Sequence, residues 1–274
     1  LHSPRIDMRD QHCSAGFNGI RNIREHREAL DIKDGKEEAM ASGQKSTQVS
    51  KVIIVGGGAS GALLASNLLR HDDRLQILLI EQRAELGFGL AYSTRDSNHL
   101  VNVRIANMSA FPDDPDHFLE WLSSGQGRGS PVRVDPPGFI PRRVFPRYIE
   151  SLLKEFATDV GHRRFEFINA QCVALHEAAG DVEAALADGR VVRANVAVIA
   201  TGYDTVNDGE QAFSSPWTAP HWPGIRRDNP ILFLGTGLTM IDCVISLLDQ
   251  GHRGPLFALS RRGLLPHRHA PALH

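Results

Sequence analysis

Residues 51–81 constrain the fold of this chain more than any other segment. A β-branched run at 52–55 leads into Gly56-Gly57-Gly58-Ala59-Ser60-Gly61, and an Ala/Leu-rich helix is predicted over about 59–69. A short apolar run at 76–81 follows as a second predicted strand. A strand, glycine turn, helix and strand in this order form a βαβ unit, which predicts parallel strands joined by a right-handed crossover.

The glycine turn has GxGxxG spacing, in which each glycine has a separate physical role. Gly56 allows a tight turn, Gly58 lets a pyrophosphate approach bare backbone, and Gly61 permits close packing of helix on strand. The N–H groups from Ser60 onwards and the helix dipole favour phosphate. Glu81 ends the second strand, where a carboxylate accepts hydrogen bonds from a ribose, and this acid favours FAD or NAD. A dinucleotide site is therefore predicted, with a merely structural glycine turn as the alternative.

A second unit of the same type is predicted near the C-terminus. A strand at 231–234 is followed by Gly235 and Gly237, and then by a helix at 238–250. Met240 stands where the third glycine would be, which should loosen the packing of helix on strand. The sequence thus uses one supersecondary unit twice.

The strand that closes the second unit, at 256–260, ends in a hydroxyl and two guanidinium groups instead of an acid. Ser260, Arg261 and Arg262 suit a 2′-phosphate, so NADPH is favoured over NADH at this unit. An exposed basic strand end without a ligand is the alternative. Together the two units predict FAD at the first and NADPH at the second, with hydride passing from nicotinamide to flavin.

Between the two units the sequence predicts further helices, strands and turns. The Asp114-Pro115-Asp116 sequence is typical of a helix start, and the helix it begins should bury Phe118, Leu119 and Leu122. The other predicted elements are a loop at 124–141, an amphipathic helix at 145–156, strands at 165–168, 171–175, 182–186, 190–193 and 196–200, and turns at Gly180-Asp181 and Asp188-Gly189.

Composition excludes several other classes of protein. The chain has 30 Lys+Arg against 32 Asp+Glu, a net charge of −2, so a polyanion-binding surface is not indicated and no nucleic-acid partner is expected. Its 3 Cys have neither CxxC nor zinc spacing, and the C-terminal histidines, His267, His269 and His274, lack a carboxylate partner, so no metal site is expected. The uncharged run at 52–69 is broken by glycines, which argues against a membrane span; we expect a soluble, cytoplasmic protein acting on a small molecule.

Several segments together resemble a bacterial family of FAD/NAD(P)-binding proteins that includes the FAD-dependent urate hydroxylase and aspartate N-monooxygenase type. The resemblance covers about residues 51–270 and rests on VIIVGGGASGALLASNLL, GFGLAYST, HLVNVRIANMSAFPDDPDHFLEWL, FIPRRVFPRYI, VAVIATGY and FLGTGLTMIDCVISLLDQGHRGPLFALSRRGLLPH. It implies a flavin-side contact at Asn102 and Val103, a backbone contact to adenine near Val173, and a pocket closed by Thr201 and Gly202. It also implies that NADPH lies on Gly235, Gly237, Ser260, Arg261 and Arg262, and that the activity is that of a flavin monooxygenase.

The resulting expectation is an α/β fold with a Rossmann-like FAD-binding domain at 51–204, built from a parallel sheet plus a β-meander. A linker at 205–229 then precedes the start of a second Rossmann-like NAD(P)-binding unit at 230–274. Residues 1–50 have mixed charge and little apolar periodicity, which predicts a disordered leader with Met40 as the natural start; a true N-terminal extension is the alternative.

The sequence departs from the family pattern in two places. Asn195 replaces the acid that often precedes the strand leading to Thr201, and the chain ends at His274 inside the second unit, which predicts a C-terminally truncated member. Two other functions therefore stay open: a non-catalytic dinucleotide-binding fragment, and a dehydrogenase with NAD alone. The lack of CxxC argues against a disulfide reductase.

A few remaining side chains are candidates for either function or structure. The arginines at 142, 143 and 147 could face an anion, but a solvated helix start is the commoner case. Tyr92 could lie over a flavin or simply pack a turn. Cys172 and Cys243 are predicted to be small buried hydrophobes. No side chain is identified as a general base.

Overall fold

A four-stranded parallel sheet is the central element of the computed structural model, which describes residues 5–7, 50–126, 135–157, 164–202, 225–267 and 269. Its strand order is β4-β3-β2-β8. The four strands are β2 (Ser50–Val55), β3 (Leu75–Glu81), β4 (Phe165–Asn169) and β8 (Val196–Ile199). Helix α1 (Ala59–His71) connects β2 to β3, which pair in parallel, so the predicted βαβ unit is confirmed.

An antiparallel sheet, the predicted meander, covers one face of the parallel sheet. It has the order β1-β5-β6-β7, with β1 (Arg5–Asp7), β5 (Cys172–Ala178), β6 (Asp181–Leu186) and β7 (Val191–Ala194). The hairpin between β5 and β6 turns through Ala179 and Gly180, whose φ angles are 52° and 93°. Positive φ at both central residues is typical of a tight hairpin turn, so this turn lies one residue before its predicted position.

Both faces of the parallel sheet are buried, because helices cover the face opposite the meander. Alternate residues of β2 and β3 therefore enter two cores: Ile54 and Leu79 pack with the helices, whereas Ile53 and Leu78 pack with the meander. This arrangement explains why β2 and β3 are continuous apolar runs without polar alternation.

The helical layer contains α2 (His117–Ser123) and α3 (Phe145–Ala157) in addition to α1. The predicted amphipathic helix is confirmed as α3, which buries its apolar face against the core. The predicted start of α2 at Asp114-Pro115 is wrong. The Ser109 hydroxyl donates to the Asp114 carbonyl at 2.6 Å and holds that segment in a turn, so the helix begins at His117 and buries Trp121 more fully than Leu119.

The second unit consists of β9 (Ile231–Leu234), α4 (Leu238–Asp249) and β10 (Leu256–Leu259). Its two strands pair in parallel, as predicted. One face of this small sheet is exposed and carries Leu232, Leu234, Phe257 and Leu259.

Two predictions fall largely outside the described residues. The leader is described only at Ser50 and at Arg5–Asp7, and Arg5–Asp7 pairs with β5 instead of being disordered. Met40, Cys13 and His274 are among the residues that are not described, as are residues 203–224, which include most of the predicted linker at 205–229. None of the described helices is long and apolar enough to cross a membrane.

Candidate functional site

The turn between β2 and α1 has no room for side chains where the sequence has glycine. Gly56 has a φ of +106°, and a Cβ there would lie 2.4 Å from the carbonyl oxygen of Ala200. A Cβ on Gly61 would lie 1.9 Å from the carbonyl oxygen of Gly56. Both distances are well below van der Waals contact, so the tight turn and the close packing of α1 that the spacing predicts are confirmed.

The Glu81 carboxylate is held against this glycine turn. The Gly57 N–H donates to its Oε2 at 2.8 Å, and the Arg83 N–H donates to its Oε1 at 2.9 Å. A Cβ on Gly57 would lie 2.7 Å from the Cβ of Glu81, so a side chain there would displace the acid. Glu81 is half-buried and keeps lone pairs on both oxygens, which leaves acceptors for a ligand's hydroxyl groups.

The N-terminus of α1 is left without a capping side chain. Gly58 is the N-cap residue, no side-chain hydrogen bond caps the helix, and its first turn has no acidic residue. Ser60 in that turn is exposed. Because the positive end of the helix dipole has no negative partner among these residues, it can accept a phosphate group.

Thr201 and Gly202 lie beside the glycine turn. The Ala200 N–H donates to the Val55 carbonyl at 2.7 Å, which continues the pairing of β2 and β8 past the end of β8. A Cβ on Gly56 would lie 2.9 Å from the backbone nitrogen of Thr201. The pair Thr201-Gly202 therefore meets the carboxyl ends of β2 and β8.

Val173 lies in a bulge of β5. The register of β5 on β6 shifts between Cys172 and Ala174, which leaves Val173 without a cross-strand partner on β6. Just before β5, the Asn169 side chain donates to the Glu81 carbonyl at 3.0 Å. The backbone of Val173, without a partner on β6, can contact a nucleoside base, and such a contact is what the resemblance implies.

The Asn195 departure has a structural explanation. Its Oδ1 accepts a hydrogen bond from the Lys51 N–H at 2.9 Å, and its amide group donates to Asp181 at 3.0 Å. An asparagine oxygen thus serves as an acceptor for the start of β2, and the substitution leaves the parallel sheet intact.

The second unit repeats the geometry of the first at its strand end. In the first unit the Gly56 N–H donates to the Ile80 carbonyl at 2.8 Å, and in the second unit the Gly235 N–H donates to the Leu259 carbonyl at 2.8 Å. The residue that follows the accepting carbonyl is Glu81 in the first unit and Ser260 in the second. The two sites therefore present different chemistry at equivalent places, an acid in one and a hydroxyl in the other.

The second turn is more open than the first. A Cβ on Gly235 or Gly237 would meet no atom within 4 Å. Met240, at the third-glycine position, is buried. Arg261 and Arg262 directly follow Ser260 and are exposed.

A cavity of about 410 Å³ opens between the two units. Asn102 and Val103 line it from the first unit's side, and Leu238 and Thr239 line it from the first turn of α4. Its other lining residues are Leu63, Ala91, Tyr92, Val101, Asn107, Met108, Ser109, Arg142 and Phe145. The cavity thus joins the predicted flavin-side residues to the start of the second unit's helix.

Tyr92 lines the cavity and packs against α3. Its ring lies 5.2 Å from that of Phe145. Burial raises the pKa of Tyr92 above 10.0, while the nearby Arg142 cation acts to lower it. The side chain therefore presents a neutral phenol to the cavity.

The three arginines predicted to be solvated at a helix start differ in exposure. Arg143 and Arg147 are exposed, as that interpretation expects, whereas Arg142 is half-buried. Its guanidinium forms an ion pair with Asp242 of α4, and both side chains are largely buried. Its Nε also donates to the Leu100 carbonyl at 2.9 Å. The second unit thus holds an arginine that lies on the wall of the cavity.

A wider polar network, absent from the sequence-based prediction, surrounds this ion pair. His99 contacts the Asp242 carbonyl oxygen at 3.1 Å and the Ser246 hydroxyl at 2.9 Å. Burial raises the pKa of Asp242 above 3.8, and Asp96 adds to this, while Arg142 and His99 act to lower it. The sequence contained one signal of this network, because Asp242 is an acid within the apolar first half of α4.

Comparison with known proteins agrees with this geometry. The sequence model of a family described as FAD-NAD(P)-binding matches residues 53–204, more than half of the 274-residue chain. This chain belongs to the FAD-NAD(P)-binding family. The match covers the first unit, the helical layer and the meander, and ends just after Thr201-Gly202.

Individual relatives are distant. The chain is 23% identical over 221 residues to "Uncharacterized protein YdhS" of Escherichia coli (strain K12), covering 74% of this chain and 40% of that protein. S-allyl-L-cysteine S-oxygenase from Allium sativum has a TM-score of 0.53 at 17% identity, covering 82% of this chain and 53% of that one. The bacillithiol disulfide reductase Bdr (YpdA) from Staphylococcus aureus has a TM-score of 0.51 at 16% identity, covering 79% of this chain and 58% of that one. These structures share the fold.

The described residues fit the cofactor pair of the family, FAD and NAD(P). The first unit provides a turn without side chains, an uncapped helix N-terminus and a held carboxylate, which match a pyrophosphate and a ribose. The described residues contain no group of three or more potential metal ligands.

Proposed function

We propose that the chain functions as an FAD-dependent, NADPH-using oxidoreductase of the flavin monooxygenase type, with FAD at the first unit and NADPH at the second. The observation that carries this proposal is the equivalence of the two strand ends, which have Glu81 in one unit and Ser260 followed by two arginines in the other. A carboxylate suits unmodified ribose hydroxyls, whereas hydroxyl and guanidinium groups suit a 2′-phosphate. The resemblance to urate hydroxylases and aspartate N-monooxygenases supports the monooxygenase class.

Each part of the chain has a defined role in this proposal. The first-turn amides of α1 bind the FAD pyrophosphate, and the Glu81 carboxylate orients the adenosine ribose. Asn102 and Val103 bound the flavin side of the cavity, while Arg261 and Arg262 select the phosphorylated nucleotide. When bound, FAD supplies the redox chemistry, by accepting two electrons from the nicotinamide and passing them to oxygen or another acceptor.

The cavity contributes position. Its apolar wall, including Leu63, Phe145 and Leu238, offers a packing surface to the reacting rings. Two of its polar side chains, Asn107 and Thr239, can donate or accept hydrogen bonds to a small substrate. This chemistry requires no nucleophilic side chain from the protein.

The test is a set of spectra of the full chain reconstituted with FAD. The proposal predicts bound flavin whose long-wavelength absorption is bleached by NADPH in the absence of oxygen and returns when oxygen is admitted. A protein that retains no flavin after unbound FAD is removed would support a non-catalytic fragment. Reduction of NAD by a hydroxylated substrate, without any need for FAD, would support a single-cofactor dehydrogenase.

A further inference from the structure

One face of α4 is specialised for contact with the first unit. Leu238, Asp242, Ser246 and Asp249 are spaced by three or four residues, so they lie on the same side of the helix. Leu238 lines the cavity, and the other three make polar contacts with segment 96–99 or Arg142. Polar side chains on an otherwise apolar helix therefore join the two units.

On this face of α4, the side chain of Asp242 contacts Arg142, which lines the cavity from the first unit. It forms the ion pair with Arg142, and both side chains are about 14% exposed or less. The Arg142 backbone is fixed independently, since its N–H donates to the His99 carbonyl at 2.9 Å. The guanidinium itself has one contact in each unit, because its Nε donates to the Leu100 carbonyl at 2.9 Å and its charge is paired with the Asp242 carboxylate of the second unit.

We propose that Asp242 is a positioning residue that links the two nucleotide sites: by holding Arg142 on the cavity wall, it makes FAD and NADP⁺ each strengthen the binding of the other. This inference rests on the proposed function. Thr239, in the first turn of α4, lines the cavity, and Asp242 lies one turn further along the same helix. A nucleotide bound at the start of α4 fixes the helix, and the fixed helix fixes Arg142 and the cavity wall that faces FAD. Linkage of this kind is reciprocal by thermodynamic necessity.

The experiment measures the Kd of FAD for the full chain, with and without saturating NADP⁺, by flavin fluorescence. In the wild type, NADP⁺ is expected to tighten FAD binding about 5-fold or more, the usual lower range of couplings between sites. Asp242→Asn, which keeps the shape but removes the charge, should bring the ratio of the two Kd values to about one. Asp242→Glu restores the charge and should recover part of the ratio.

The matched control is Asp249→Asn on the same face of α4. Asp249 accepts a hydrogen bond from Asn98 at 2.8 Å and is exposed, so this substitution removes the charge from a contact between the units without touching Arg142. This variant should keep the wild-type ratio. If a general loosening of α4 were the cause, Asp249→Asn and Asp242→Asn would lower the ratio alike, and the proposal would be wrong.

Other outcomes separate this inference from the proposed function. If Asp242→Asn keeps the wild-type ratio, or if the wild type binds both nucleotides with a ratio of one, the linkage is refuted while the cofactor assignment stands. If the wild type binds no FAD at all, the proposed function fails and the inference fails with it. Should Asp242→Asn not fold, Arg142→Lys replaces it, because lysine keeps the charge but cannot reproduce the planar contact; an unchanged ratio there would also refute the linkage.

Discussion

Replacing Gly61 by alanine tests the close packing of α1 on its turn. The new Cβ would lie 1.9 Å from the Gly56 carbonyl oxygen and 3.2 Å from Cγ2 of Ile54. An ordinary contact between carbon and oxygen needs more than 3 Å, so the turn or the helix must move by more than 1 Å in a densely packed interior. Overpacking of this kind costs about 1–3 kcal/mol, which should lower the Tm of a chain of this size by about 2–5 °C.

Two alanine variants serve as comparisons in the same thermal unfolding assay, each paired with an FAD titration. Gly58→Ala places its Cβ 3.2 Å from the Cα of Gly89, so it should cost less stability than Gly61→Ala yet still obstruct the approach of the pyrophosphate. Gly237→Ala meets no atom within 4 Å and should leave the Tm unchanged. A Gly61→Ala protein with wild-type Tm and wild-type FAD affinity would refute this account of the turn.

Three further predictions concern the second unit. Replacing Arg261 and Arg262 by alanine should raise the Kd for NADPH by about 10-fold or more while leaving that for NADH within about 2-fold, as expected for loss of charged hydrogen bonds; equal weakening of both would contradict the 2′-phosphate assignment. Burial raises the pKa of Cys243 to about 11, so its thiol should react slowly with a thiol reagent at pH 8. The number of rapidly reacting thiols should then be the same in the native wild type and in Cys243→Ser. One fewer rapidly reacting thiol in the variant would show that Cys243 is not protected by burial. Because burial raises the pKa of Asp242 above 3.8, this carboxyl contributes most to stability below pH 3.8, and that contribution is lost as the pH rises through the raised pKa. Acidification also removes the negative charge that pairs with Arg142, so the linkage between the nucleotides should weaken at a pH above 3.8 in the wild type. Asp242→Asn should lack this pH dependence.

Local patterns in the sequence were sufficient for both βαβ units and for α3, because each has a strong period or a turn that only glycine can make. The first glycine turn and Glu81 were found in the same way, since their spacing follows from the geometry of one compact unit. The equivalence of Glu81 and Ser260 was likewise accessible from the sequence, because each is the last residue of its predicted strand.

Contacts made by particular side chains could not be derived from local patterns. The start of α2 was predicted wrongly because Ser109, only five residues earlier, holds the Asp114 carbonyl in a turn, which overrides a favourable helix-start sequence. The burial of Arg142 was missed because its partner Asp242 lies 100 residues further along the chain. The cavity depends on the same contact between the units, so sequence reasoning could name Asn102 and Val103 through family resemblance but could not show what they face.

The central claim is that the glycine turn and the Glu81 carboxylate bind the adenosine part of FAD, and a titration of FAD into Glu81→Ala tests it most directly. Loss of charged hydrogen bonds to the ribose, worth about 1.5–3 kcal/mol, predicts FAD binding about 10- to 100-fold weaker than in the wild type. Glu85→Ala, which removes an exposed acid from the same loop, should bind FAD as the wild type does. Wild-type affinity in Glu81→Ala, or an equal loss in both variants, would contradict the account.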